Sequence, residues 1–216
     1  MTTVSVWSDL PLNRWLVLAA VLIVMLNINR LIELLPYLVR AIIDWKANMR
    51  LEASVPRTRS RDIISISMIF PFCLLADRYG LVTIDALSFC PGHLSALATG
   101  GVFIAYLLLR HIVYIIWMPE KSDASTYRMA RSCERNYFIM IVAAELFTAG
   151  ALSITGIPDE AVRRVLLYGL AALYLLTLTR KSQILSSSYN PFSTFLYLCA
   201  LELAPTAMLV LASLKL

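Results

Sequence analysis

Three ionisable residues stand where a membrane-type sequence can least accommodate them. Glu202 lies near the middle of Thr194-Phe-Leu-Tyr-Leu-Cys-Ala-Leu-Glu-Leu-Ala-Pro-Thr-Ala-Met-Leu-Val-Leu-Ala212, Glu145 lies within Tyr137–Thr155, and Arg110 lies within Ala98–Met118. An ionised side chain at mid-membrane costs about 2.5–3.5 kcal/mol on insertion scales, so each needs a partner or a wet cavity. Counted from one end of their spans, the two glutamates lie about nine residues in and Arg110 about eight. At about 1.5 Å rise per residue the three share a depth, and the spacing predicts a mutual cluster. The chemistry of such a cluster has three readings. Arg110 neutralises the glutamates and fixes helix packing; or two carboxyls against one cation leave a proton to be carried, the usual element of a proton relay; or the polar groove receives a segment of another membrane protein. Tyr106 and Tyr114 flank Arg110 at helical spacing and can satisfy leftover donors and acceptors. Cys199, Glu202 and Thr206 share one helix face, and Pro205 frees a carbonyl in the turn beside Glu202.

The elements that position these groups follow from composition. The 216 residues are 59% hydrophobic and 15% charged, with mean hydropathy +0.73, far to the apolar side of a water-soluble domain. A helix needs about 20 apolar residues to cross a bilayer. Six runs qualify or nearly so, at about 12–35, 63–84, 98–118, 137–155, 162–178 and 194–212, which predicts an all-α transmembrane bundle with residues 1–216 as one integral membrane domain. The second run is the weakest, because Pro71 interrupts it and Asp77-Arg78 follow; it reads as a kinked span or a re-entrant element. The stretch before the first run lacks a basic n-region and a small-residue cleavage site, so that run is expected to be a retained span. Asn27, Asn29, Arg30 and Glu33 form a polar collar at its far end.

Orientation follows from Lys and Arg counts in the connecting segments. Twelve fall on one side: Arg40, Lys46, Arg50, Arg57, Arg59, Arg61, Lys121, Arg128, Arg131, Arg135, Arg180 and Lys181. Five fall on the other: Arg14, Arg78, Arg163, Arg164 and Lys215. The basic side is the cytoplasmic one, so both termini are expected outside the cytoplasm. Leu38, Ile42, Trp45 and Met49 recur at helical spacing among charged residues, with Pro36 at the expected first turn, which predicts an amphipathic helix over about 37–52 lying in the cytoplasmic interface with Trp45 at headgroup depth. Arg57-x-Arg59-x-Arg61 beyond it is either a topology anchor or a docking strip for a partner.

Other chemistries lack their residues. Phosphate-loop, metalloprotease and nucleophile-elbow motifs are missing, as are paired aspartate-rich motifs. No loop is long enough for a soluble catalytic domain. Cys73, Cys90, Cys133 and Cys199 form no C-x-x-C pair and read as lone thiols, with a Cys73–Cys90 bridge as the alternative. His111 and His93 are too isolated for a metal site, so no metal and no cofactor are expected. No aromatic stacking platform accompanies the basic residues, which argues against nucleic acid as a partner. The partners expected are the lipid bilayer and other membrane proteins.

The closing segment, Ser188-Tyr-Asn-Pro-Phe192 followed by Phe195-Leu-Tyr-Leu-Cys-Ala-Leu-Glu-Leu-Ala-Pro205, resembles a family of small bacterial inner-membrane proteins known only as a domain of unknown function, through a Tyr-x-Cys-x-x-Glu-x-x-Pro pattern. The resemblance implies a multi-pass protein of the bacterial inner membrane, with Glu202 and Pro205 at recurring positions and no activity to carry over. The function expected by subtraction is a non-enzymatic accessory or scaffold subunit of a membrane assembly, such as one serving protein export or envelope biogenesis. A small proton- or ion-coupled transporter using the mid-membrane carboxylates is the alternative, and an integral lipid-modifying enzyme a third.

Overall fold

A computed structural model of the chain describes residues 7, 10–52, 54–82, 94–116, 124–187 and 190–213. Among these residues the regular structure is all helical: α1 (Pro11–Ile43), α2 (Trp45–Glu52), α3 (Val55–Ser67), α4 (Ile69–Arg78), α5 (Ser95–Ile116), α6 (Ala124–Ile154), α7 (Asp159–Ser186), α8 (Pro191–Leu198) and α9 (Ala204–Ser213), the last two joined by a π turn over Cys199–Leu203. Five helices are long and apolar enough to cross a membrane: α1, α5, α6 from Met129, α7, and the continuous run Pro191–Val210. The protein is a multi-pass membrane protein. Trp15, Leu18, Met25 and Leu26 of α1 stand exposed, as do Leu108 of α5, Phe147 of α6 and Phe195 of α8, the arrangement expected where lipid replaces water as the solvent.

α1 runs for 33 residues, about 50 Å, well beyond the predicted boundary at 35. Pro36 lies inside it, and the break comes at Asp44, whose carboxylate accepts from the Lys46 N–H at 3.0 Å and so caps α2. The 37–52 segment is therefore not one helix: its first part completes α1 and its second is the eight-residue α2. Leu38 and Ala41 are buried, so this end of α1 is held by packing and tolerates the proline. The carbonyls orphaned at the end of α1 find side-chain donors: Tyr137 gives its hydroxyl to Ala41 O at 2.9 Å, and Arg180 reaches Ile43 O at 3.1 Å. Asn136 joins Asn48 at 2.9 Å, tying α6 to α2.

The 63–84 run is broken at Met68 into α3 and α4, neither long enough to count among the five spans. Pro71 does not interrupt a helix here; it sits in the first turn of α4, where its missing N–H has no intrahelical partner to lose. Every residue from Pro71 to Ala76 is buried. Ile64, Met68 and Phe72 share a core cluster with Leu34 and Leu38 of α1, while Leu74 clusters with Ala20 and Ala96. Asp77 then accepts from Trp7 Nε1 at 2.7 Å, Ser95 Oγ at 3.1 Å and Thr99 Oγ1 at 3.0 Å. The α3–α4 pair thus returns alongside α1 to the end where α1 began. Leu209 of α9 lines a small cavity with Ala76, Val82 and Thr99 at that same end. α6 and α7 form a tight antiparallel pair, turned at Gly156 with φ of 69°, and Asp159 and Glu160 occupy the first turn of α7.

Candidate functional site

Four helices converge on one buried ion-pair network. From α5, Arg110 places Nη1 2.6 Å from Glu134 Oε1 of α6 and directs Nη2 to Glu202 Oε2 in the π turn. From α7, Lys181 binds the other oxygen of Glu202, lies 3.3 Å from Glu134 Oε2 and donates to the Tyr114 hydroxyl at 2.7 Å. Tyr114 in turn donates to Glu202 Oε1 at 3.5 Å. Each carboxylate meets both cations, so the square alternates in charge and sums to zero. Burial is near total at the Lys181 and Glu202 side chains, 1% and 3% exposed. In such a site a lone charge costs several kcal/mol, and only mutual pairing offsets it.

Local structure aims each member inward. Arg110 and Tyr114 are one turn apart and share a face of α5. Lys181 sits in the buried stripe Thr177, Lys181, Ile184 and Leu185 of α7, and Glu134 in the stripe Ala130, Cys133 and Tyr137 of α6. Glu202 is presented by the π turn. Pro205 has no N–H to give four residues back, and the chain widens so that the Ala204 N–H bonds Cys199 O instead. The Glu202 carbonyl accepts from Thr206 Oγ1 at 2.7 Å and from Tyr174 at 3.1 Å. Tyr106 closes this second ring through Thr206 Oγ1 at 3.1 Å, so the α5 and α7 tyrosines brace the distorted turn. Pro205 is buried and Cys199 is half-buried as a free thiol.

Of the expected trio, Arg110 and Glu202 meet and Glu145 does not join them. Glu145 lies eleven residues beyond Glu134 on α6, about 16 Å along the axis. α6 begins at Ala124, 13 residues before the predicted span start at 137, so counting from 137 sets its depth wrongly against its neighbours. Glu145 is 3% exposed, packs on Gly169 of α7, and its Oε2 has no hydrogen-bond partner among the described residues. Glu134 and Lys181 take the places that sequence reading left to connecting segments. Their signal was helical periodicity running past the apolar stretch into charged turns.

The basic segment is also rearranged. Arg57 lies over the Tyr37 ring at 4.1 Å and Arg59 is exposed. Arg61 is wholly buried, paired with Asp62 at 2.7 Å; burial holds its guanidinium below the ordinary range, with the Asp62 hydrogen bond acting against that shift. On a helix, alternate residues point about 200° apart, so the three arginines form no strip. Trp45 begins α2, and its side chain lies outside the described residues. Cys73 and Cys133 are buried free thiols, while Cys90 and His93 lie outside the described residues. No group of three His, Cys, Asp or Glu able to hold a metal occurs among the described residues.

Between α5 and α6 a cavity of about 180 Å³ adjoins the network, lined by Arg110, His111, Tyr114, Arg131, Glu134 and Arg135. Arg131 stands exposed at its rim and reaches His111 Nδ1 at 2.7 Å; Arg135 pairs with Asp62 at 3.2 Å. No family model, curated protein or solved structure matches this chain.

Proposed function

We propose that this chain is a non-enzymatic accessory or scaffold subunit of a larger membrane assembly. The observation that carries the reading is the electrical closure of the Arg110, Lys181, Glu134 and Glu202 square. Two cations meet two carboxylates, so the site needs no added proton or ion to be neutral. A closed, braced network suits a rigid frame that holds α5, α6, α7 and the last helix in fixed register for other subunits to dock against. In this reading the broken α3–α4 pair is a sixth pass, both termini face the periplasm of a bacterial inner membrane, and α2 with the end of α1 lies at the cytoplasmic surface.

The test is native isolation. Membranes are solubilised in mild detergent, the protein is recovered through a C-terminal tag, and the mass and composition of the recovered particle are measured. Stoichiometric recovery of other membrane proteins is the expected result; a lone monomer or homodimer overturns it.

A second reading, proton-coupled transport, rests on Glu145 rather than on the square. A carboxyl buried within a span with one oxygen unpartnered among the described residues is the group such a carrier needs. In proteoliposomes, Glu145→Gln would then abolish proton flux while leaving the protein folded; flux that is absent from the wild type, or unchanged in the variant, removes this reading.

A further inference from the structure

The α5–α6 cavity is lined by more positive than negative side chains. Its lining carries three guanidinium groups, Arg110, Arg131 and Arg135, against one carboxylate, Glu134. Arg110 is taken up by Glu134 and Glu202, and Arg135 pairs with Asp62, whereas Arg131 meets only a histidine nitrogen and an aromatic face among the described residues. Nε of Arg110 and of Arg135 are buried without a hydrogen-bond partner among those residues. Guanidinium forks converging from two helices on one concavity are the usual means of holding a tetrahedral oxyanion.

We infer that this cavity binds a phosphomonoester group, held by Arg131 and Arg135 of α6 with Arg110 of α5 behind them. A phosphomonoester carries about −1.5 to −2 charge near neutral pH, the sign that a concavity lined by three arginines and one glutamate draws. The volume of about 180 Å³ is many times the ~10–15 Å³ that one water needs on the same measure, so a phosphate group fits with room for its ester substituent. Glu134 is already held by Arg110 and Lys181, which limits its repulsion of an incoming anion. Arg131 and Arg135 lie within the first two turns of the apolar part of α6, which begins at Met129, so the cavity sits near one end of that candidate span. The same chemistry serves an anionic lipid headgroup or a soluble phosphoester entering from the aqueous side. The inference goes beyond the subunit reading and does not depend on it.

The test uses the full chain in phosphatidylcholine nanodiscs. One arm titrates inorganic phosphate; the other incorporates phosphatidic acid and measures retained lipid by native mass spectrometry. Saturable binding in the first arm assigns a soluble ligand, and retention confined to the second assigns a headgroup. In whichever arm binds, Arg131→Gln should weaken the affinity by at least about tenfold, the loss of one charge-assisted contact. Arg131 is exposed, so this variant keeps the fold, and Arg59→Gln, the same charge change at an exposed position of α3, should bind as wild type. Absence of saturable binding in both arms, or equal weakening by Arg59→Gln, overturns the assignment.

Discussion

Replacing Glu202 by Gln removes one of the two carboxylates that lie between Arg110 and Lys181, leaving two buried cations to share Glu134. Removing one partner from a buried ion pair costs about 3–5 kcal/mol, because the remaining charge is left uncompensated. Lys181→Met alone is expected to cost a similar amount for the opposite reason: Arg110 must then balance Glu134 and Glu202 by itself. The double variant restores neutrality, since one cation, Arg110, faces one carboxylate, Glu134, at 2.6 Å. Its cost should therefore fall short of the sum of the singles by about 2 kcal/mol, within the range seen for residues in one network. The assay is a double-mutant cycle on reversible unfolding in mixed micelles. The control cycle pairs Glu202→Gln with Asp77→Asn, whose partners are Trp7, Ser95 and Thr99. It should be additive within about 0.5 kcal/mol. If the Glu202–Lys181 cycle is equally additive, the two residues do not balance one another and the account of the square is refuted.

Three further predictions address other parts of the bundle. Asp77→Ala should lower stability by at least about 2 kcal/mol, since three hydrogen bonds to one acceptor are lost together, and hydrogen exchange should rise at the start of α5; unchanged exchange there would contradict the role given to Asp77. Gly169→Ala should be nearly neutral, because the gain of about 0.8–1 kcal/mol in helix propensity is offset by a Cβ 2.9 Å from Glu145 Oε1. In a Glu145→Ala background the same change should yield the full gain, and equal effects in both backgrounds would mean the two residues do not touch. Cysteines introduced at Ser8 and Ser213, in a background with Cys73, Cys90, Cys133 and Cys199 replaced, should both be labelled from the periplasmic side by an impermeant maleimide; labelling of only one would remove the sixth pass.

The amino-acid sequence was sufficient for the class of the protein and for the residues under greatest electrostatic pressure. Apolar runs of membrane length are a one-dimensional property, and a charge inside one is visible as soon as the run is seen; Arg110, Glu202 and the weakness of the 63–84 run were legible for that reason. Pro205 beside Glu202 likewise announced a disturbed turn, since a missing N–H is a local fact. Tertiary structure decided the rest. Which carboxylate meets Arg110 depends on the relative height and rotation of separate helices, and these follow from where each helix truly begins. α6 starts in the charged segment before the apolar stretch and α7 continues past its own, so Glu134 and Lys181, both outside the predicted spans, turn inward to complete the square while Glu145 is carried about 16 Å along the axis. Hydropathy marks the part of a helix that prefers lipid. It does not mark the turns beyond that part, where neighbouring helices replace lipid and charges can be buried against one another.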